Sequence, residues 1–327
     1  MIEVPSFADV QAAAKRIAPY AVRTPLVESP VLSALTGGRV FLKLESLQRT
    51  GSFKFRGACN RILMIPEAQR VKGVVAFSSG NHAQGVAAAA QLFGIPALIV
   101  MPKDAPRAKV EGTRAYGAKI VTYDRVTDDR EAIAAKFVNE RGATLVKPYD
   151  DPGIMAGQGT AGLEIAEDVA RFGVTLDAVA TPCSGGGLVT GVALALKGAG
   201  VSAPVHSVEP DNFDGMRRSL MAHARTAAPG GKLSIADALM APIPGHHVFA
   251  LADGLLAPGI AVSDEELSRA VAFAALKLKL LVEPGGTAPL AALLAGKLAG
   301  KNLVLLLSGG NADFASVAEA VSQHSHP

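Results

Sequence analysis

A lysine stands in the run Ser52-Phe53-Lys54-Phe55-Arg56-Gly57, just after the Gly51 turn and at the predicted start of a helix. The N-terminal end of a helix is electrically positive, which disfavours an ammonium there and helps to lower its pKa. An amine kept partly neutral can attack a carbonyl and form an imine. Taken alone, the run is explained as well by an exposed lysine with aromatic neighbours, so Lys54 needs company before it means catalysis.

Three other polar segments supply that company. Thr181-Pro182-Cys183-Ser184-Gly185-Gly186-Gly187-Leu188 follows a strand candidate and opens a helix candidate, and its consecutive glycines let backbone N–H groups converge on an anion. The spacing matches neither a P-loop, which needs Gly-Lys-Ser/Thr, nor the G-x-G-x-x-G of a dinucleotide fold, so a monophosphate fits better than a nucleotide. Ser78-Ser79-Gly80-Asn81-His82 also sits at a strand end opening a helix, where hydroxyls, an amide and free N–H groups can hold a carboxylate. Leu307-Ser308-Gly309-Gly310-Asn311 closes the last strand candidate with a polar turn. In parallel sheets ligands bind beyond the carboxyl ends of the strands, and all four segments lie at or near such ends.

The elements that must position them follow an alternation of short apolar runs and Ala-rich helical stretches, as in βαβ units. Strands are predicted at Val40–Leu44, Val74–Phe77, Ala97–Met101, Lys119–Tyr123, Ala143–Val146, Ala178–Thr181, Val205–Val208 and Leu303–Leu307. Helices are predicted near Phe55–Met64, Gln84–Phe93, Lys109–Tyr116, Asp128–Arg141, Gly157–Arg171, Val189–Lys197, Asp264–Leu280 and Ala288–Leu298. Gly94, Gly117 and Gly142 stand where helix C-terminal glycines belong. The expected fold class is α/β with two open, mostly parallel sheets. A large domain of residues 1–68 and 150–327 would carry a small domain, 69–149, inserted in it, and residues 222–245, rich in Gly, Pro and Ala, read as irregular.

Composition narrows the function classes. With 49% hydrophobic and only 5% aromatic residues, the core must be built from Ala, Val, Leu and Ile. A net charge of +3 with scattered signs indicates neither a nucleic-acid surface nor an anionic-membrane surface. Two cysteines, Cys59 and Cys183, make no disulfide framework and no metal-ligand spacing. The acidic N-terminus has no signal-peptide pattern and no apolar run reaches the length of a membrane span, so a cytoplasmic protein is expected.

In this order, the motifs resemble the threonine dehydratase and serine racemase group of fold-type II pyridoxal-phosphate enzymes, a tryptophan synthase β-like fold. The likeness runs from Arg23-Thr24-Pro25-Leu26 through the Lys54, Ser78–His82 and Gly185–Gly187 segments to Val282-Glu283-Pro284 and Ser308–Asn311. It implies that Lys54 carries pyridoxal 5'-phosphate as a Schiff base, with Phe53 against the ring and Asn81 on its phenolic oxygen. Gly185, Gly186, Gly187 and Leu188 would bind the phosphate, and Ser308 would face the ring nitrogen with Glu283 nearby. A neutral Ser308 hydroxyl cannot hold that nitrogen protonated, which favours prompt β-elimination.

The implied substrate is a small hydroxy-amino acid such as L-threonine or L-serine, converted to a 2-keto acid and ammonia. Ser78, Ser79, Asn81 and His82 would hold its carboxylate, Arg130 and Lys109 would approach from a lid, and Gly285 and Gly286 would border its side chain. Ser79 matches the second acid/base of the racemases, so racemisation is the alternative, beside dehydration of 3-hydroxyaspartate or bulkier substrates; the cysteine-synthase-like enzymes rank third. Group members often bind a divalent cation, Mg or Ca, through a Glu and an Asp six positions later; here Asp214 follows Glu209 by five. A homodimer without an added regulatory domain is expected.

Overall fold

The computed structural model describes residues 2–78, 80–105 and 107–324. Its strands are β1 (Leu26–Glu28), β2 (Arg39–Leu44), β3 (Val74–Phe77), β4 (Ala97–Pro102), β5 (Lys119–Tyr123), β6 (Thr144–Leu145), β7 (Ala178–Pro182), β8 (Val205–Pro210), β9 (Ile260–Val262) and β10 (Asn302–Leu307). They form a six-stranded sheet in the order β1-β2-β10-β7-β8-β9 and a four-stranded sheet in the order β5-β4-β3-β6. β1 runs antiparallel to β2, and every other pairing is parallel. The chain therefore leaves the first sheet after β2, builds the second, and returns at β7.

Runs such as Leu303-Val304-Leu305-Leu306-Leu307 have no polar face because both sides of a parallel sheet are covered. Leu303, Leu305 and Leu307 enter one core layer while Val304 and Leu306 enter the layer on the opposite face. β3 repeats this on the smaller sheet, sending Val74 and Ala76 one way and Val75 and Phe77 the other. The register that pairs Leu307 with Leu44 and Pro182 with Val208 brings the carboxyl ends of these strands level, so the turns that follow them open on one side.

Gly94, Gly117 and Gly142 do adopt the left-handed conformation, with φ of 63°, 75° and 66°. Elsewhere the boundaries move for physical reasons. The helix predicted from Gln84 begins at Asn81, because its first turn holds the polar residues of the motif rather than the alanine run that signals its body. The stretch predicted as one helix to Leu280 is α-helical only over Asp264–Phe273, then winds as a π turn over Ala274–Leu278 and stops at Lys279 with φ of 59°. The helix predicted to Leu298 ends at Leu294. The three-residue strands β1 and β9 are too short to show a periodicity.

Two devices seat the helix Lys54–Leu63. At its second turn Gly57 meets Gly157 of the helix Pro152–Arg171, so closely that a Cβ on Gly157 would lie 2.6 Å from the Gly57 Cα. At its first turn the buried Arg56 guanidinium donates to both carboxylate oxygens of Glu45, which follows β2, at 2.8 Å each. It also donates to both oxygens of Glu164, in the helix Pro152–Arg171, at 2.7 and 2.8 Å. Burial opposes the charge on Arg56, but the two carboxylates outweigh it and raise the pKa. Because backbone faces backbone at the glycine crossing, no side chain can move aside. Gly157→Ala is expected to destabilise the protein by roughly 3 kcal/mol, read as a shifted midpoint in urea unfolding; an unshifted midpoint would show that the helices can separate at little cost.

Candidate active site

The strand ends open on a cavity of about 410 Å³. Phe53, Lys54, Ser78, Asn81, His82, Lys109, Arg130, Gly185, Gly186, Gly187, Leu188, Glu283 and Ser308 all line it. Residues from seven separate parts of the sequence thus meet around one volume. Ser79, the residue on which the racemase reading depends, lies outside the described residues.

Lys54 is half-buried there with no carboxylate paired to it among the described residues; its Nζ donates to the Pro148 carbonyl at 2.8 Å. Burial lowers its pKa to about 8, partly opposed by the charge of Glu283. Its Nζ lies 5.1 Å from the centre of the Phe53 ring. Glu283 is pushed the other way, up to about 7, chiefly by burial and against the pull of Lys109. Two ionisable groups at one cavity are therefore brought close to neutrality from opposite sides.

His82 is buried and its Nε2 lies 2.9 Å from the Val146 carbonyl, which can only accept. The ring therefore carries its proton on Nε2, and Nδ1, which has no partner, is a lone pair. Burial, and after it the charge of Lys54, pushes the ring's pKa down to about 3. A neutral ring in this tautomer cannot donate to a carboxylate. What His82 offers an anion is its main-chain N–H, which with that of Asn81 lies in the first turn of the helix Asn81–Leu92, where N–H groups have no intrahelical acceptor.

The glycine loop shows why it must be glycine. A Cβ on Gly185 would sit 2.3 Å from the Tyr149 ring, and one on Gly186, at φ of 96°, would sit 2.5 Å from Met216 and Val248. With its back filled in this way, the loop leads into the helix Gly187–Gly198, whose first N–H groups are free for an anion. Three buried polar atoms on side chains lining the cavity also have no protein partner: His82 Nδ1, Gln158 Nε2 and Glu283 Oε2. An amine with lowered pKa, an anion cradle and unpartnered polar atoms fit a phosphorylated aldehyde with a polar ring.

Some expectations change. Gly285 and Gly286 are not on the cavity wall; Gly286 packs on the Gly309 backbone, and Leu239 and Ala238 stand in front of Gly285 and form that wall instead. Glu209 and Asp214 do come together, but their oxygens are engaged. Glu209 accepts the N–H groups of Met216 and Arg217, at 2.9 and 2.8 Å, and burial pushes its pKa up to about 8. Asp214 accepts from the side chains of Arg217 and Arg218. Among the described residues no group of three or more His, Cys, Asp and Glu could hold a metal. As placed, the pair caps a helix and clamps two arginines.

Sequence reasoning missed Gln158, Tyr149 and Asp237, and it named Asn311 at the end of the Ser308 turn without giving it a role. Gln158 left a faint signal, a polar residue flanked by Gly157 and Gly159 inside an otherwise apolar helix segment. Asp237 had none; it pairs with Lys109 across the cavity rim from within the irregular segment. No helix among the described residues is long and apolar enough to cross a membrane.

Comparison with known proteins agrees with this chemistry. The sequence profile of the pyridoxal-phosphate dependent enzymes matches residues 17–309. An L-threo-3-hydroxyaspartate ammonia-lyase from Pseudomonas sp. is 43% identical, over 97% of this chain and 98% of its own. Among solved structures, a threonine deaminase from T.th. superposes with a TM-score of 0.89 at 44% identity, covering 95% of this chain and 99% of that one. Maize serine racemase superposes with a TM-score of 0.91 at 36% identity, covering 99% and 98%.

The neutral His82 ring has a measurable consequence. Its folded pKa, about 3, lies below the ordinary 6.5, so between those values the unfolded chain binds a proton that the folded one does not. Stability present above pH 6.5 is lost as the pH falls, approaching about 1.4 kcal/mol per pH unit for this one group. In urea unfolding followed from pH 6.5 to 4.5, His82→Gln is expected to flatten the acid limb by close to one proton. An unchanged slope would mean that the ring is charged in the folded protein.

Proposed function

This chain belongs to the pyridoxal-phosphate dependent enzymes, and from that premise we propose that it is an ammonia-lyase acting on a small L-hydroxy-amino acid, with Lys54 as cofactor anchor and base. The observation that carries this reading is the position of the Lys54 amine, which donates to the Pro148 carbonyl and is paired with no carboxylate among the described residues, in the cavity that also holds the glycine loop and the start of the helix Asn81–Leu92. When bound, pyridoxal phosphate draws electron density from the substrate's Cα, which makes loss of the Cα proton and of the β-hydroxyl feasible.

The chain's own residues do the rest. N–H groups of Gly185 to Leu188 hold the phosphate, and those of Asn81 and His82 hold the substrate carboxylate, so Cα is fixed at both ends. Lys54 Nζ would accept the Cα proton; a pKa lowered to about 8 keeps a useful fraction neutral at physiological pH. Phe53 would support the cofactor's ring and Ser308 would offer it a neutral hydroxyl, which favours expulsion of the β-hydroxyl. The hydroxyl leaves as water, the proton lost from Cα balancing it, and the released enamine adds water to give a 2-keto acid and ammonia.

L-threonine and L-serine are the substrates we expect, in line with the threonine deaminase likeness. A second reading, 3-hydroxyaspartate, is favoured by Arg130 and by the Pseudomonas relative. The Arg130 guanidinium lies over the Phe77 ring, 5.2 Å from its centre, on the cavity wall, and is paired with no carboxylate among the described residues. A second substrate carboxylate would give it one.

Keto-acid formation from L-serine, L-threonine and L-threo-3-hydroxyaspartate tests both readings, and chiral analysis of the remaining amino acid tests racemisation. Lys54→Ala is expected to abolish keto acid and the visible absorbance of the bound cofactor. Arg130→Met is expected to lower kcat/KM for the dicarboxylic substrate about tenfold or more, as loss of a charged hydrogen bond does, with a smaller change for L-threonine. Equal losses on both would remove Arg130 from the specificity argument. A wild-type protein that binds pyridoxal phosphate yet forms keto acid from none of the three would overturn the lyase reading. Capture of pyridoxal phosphate by the apoprotein is expected to accelerate as pH rises through about 8, because only the neutral Lys54 amine attacks the aldehyde; a rate independent of pH from 6 to 9 would contradict this.

A further inference from the structure

A chain of hydrogen bonds runs along the edge of the cavity and ends on a group of fixed polarity. The Asn311 Nδ2 donates at 2.8 Å to the Thr50 carbonyl and at 2.8 Å to the Asn81 Oδ1. The Asn81 Nδ2 in turn donates at 2.5 Å to Glu283 Oε1. A main-chain carbonyl can only accept, so the Asn311 atom facing Thr50 must be the nitrogen. That nitrogen's remaining hydrogen requires an acceptor, so the Asn81 atom facing it must be the oxygen. The Asn81 amide is then set with Nδ2 toward Glu283 and the cavity, where its second hydrogen has no protein acceptor among the described residues.

Glu283 cannot impose this orientation by itself. Burial pushes its pKa up to about 7, against the pull of Lys109, and a protonated Glu283 would donate to an oxygen as readily as an ionised one accepts from a nitrogen. The charged groups that act on it are Lys54 from the helix Lys54–Leu63, Lys109 from the helix Arg107–Ala115 and Asp237 from the turn Asp237–Leu239. None of them reads which way an amide points. The far end of the relay, by contrast, is rigidly placed. Thr50 is held in the left-handed region at φ of 66°, which β-branched residues rarely adopt. The adjoining Gly51 leaves room for Asn311, since a Cβ there would lie 2.6 Å from Asn311 Oδ1, and its carbonyl accepts the Gly310 N–H at 2.9 Å.

We propose that Asn311 is a positioning residue that fixes the direction of the Asn81 amide, using the Thr50 carbonyl as reference, so that Asn81 always presents a donor to the ligand in the cavity. This rests on the reading that the ligand is pyridoxal phosphate, whose phenolic oxygen accepts that donor.

Apoprotein titrated with pyridoxal phosphate, followed by visible absorbance, tests it. Asn311→Asp replaces the donor by a carboxylate, which turns the Asn81 amide around and presents its oxygen to the cavity. The expected result is about a tenfold or greater rise in Kd and a shifted absorption band. In an Asn81→Ala background the same substitution is expected to change Kd by less than about twofold. A rise of equal size in that background, or wild-type affinity and band in Asn311→Asp, overturns the proposal. Asn311→Ala provides a second arm if the aspartate variant fails to fold. Without the reference, the Asn81 amide follows the protonation of Glu283, so the ratio of variant to wild-type Kd is expected to grow as pH falls through about 7. A ratio that stays constant from pH 6 to 8, with only the apoprotein's unfolding midpoint lowered, would show a merely structural role. If the wild-type protein binds no pyridoxal phosphate, the functional reading fails and this inference with it; if it binds and the variants behave as wild type, this inference fails alone.

Discussion

The guanidinium of Arg56 is the constraint from which the site follows. A cation out of water is costly unless its donors are met by carboxylates in good geometry, and Arg56 meets both oxygens of Glu45 and both of Glu164. Glu45 lies just beyond β2 and Glu164 on the long helix that crosses at Gly57, so satisfying one side chain locks sheet and both helices together. Lys54, two residues earlier on the same helix, is half-buried without a carboxylate paired to it among the described residues. Desolvation thus has opposite outcomes: the pKa of Arg56 rises because its partners outweigh it, and that of Lys54 falls because the charge of Glu283 only partly opposes it.

The cavity is built on the same contrast between charge that is compensated and charge that is withheld. His82 is kept neutral, whereas Glu283 is brought up to about 7 and Lys54 down to about 8, so those two groups can change protonation at little cost. Fixed polarity comes instead from the backbone: the free N–H groups at the starts of two helices, and the Thr50 carbonyl at the end of the asparagine relay. Backbone dipoles do not titrate, so they hold orientation while the side chains move protons.

The carboxylates of Glu209 and Asp214 are compensated within the chain in the same way. Two carboxylates that read as oxygen ligands are turned to internal use, one capping the helix Gly215–Ala222 and the other held by Arg217 and Arg218. The positive charge beside Asp214 is supplied by the chain itself.

What the sequence determined by itself was everything that depends on neighbours in the chain. Apolar runs with no polar face marked the buried parallel strands, glycines after helical stretches marked where the chain turns left-handed, and polar segments at strand ends marked Lys54, Asn81, Gly187 and Ser308 as sharing one side of the sheets. These follow from local periodicity and backbone sterics. What only the tertiary structure decided was which of these residues touch. Gln158 reaches Gly57, Arg56 reaches Glu164, Asn81 reaches Glu283 and Asn311 reaches Asn81, all across a hundred residues or more. The tautomer of His82 and the direction of the Asn81 amide belong to the same class, since each is set by an acceptor or donor that a distant segment delivers. Hydrogen-bond polarity is a property of a pair, and sequence periodicity reports burial without naming the partner.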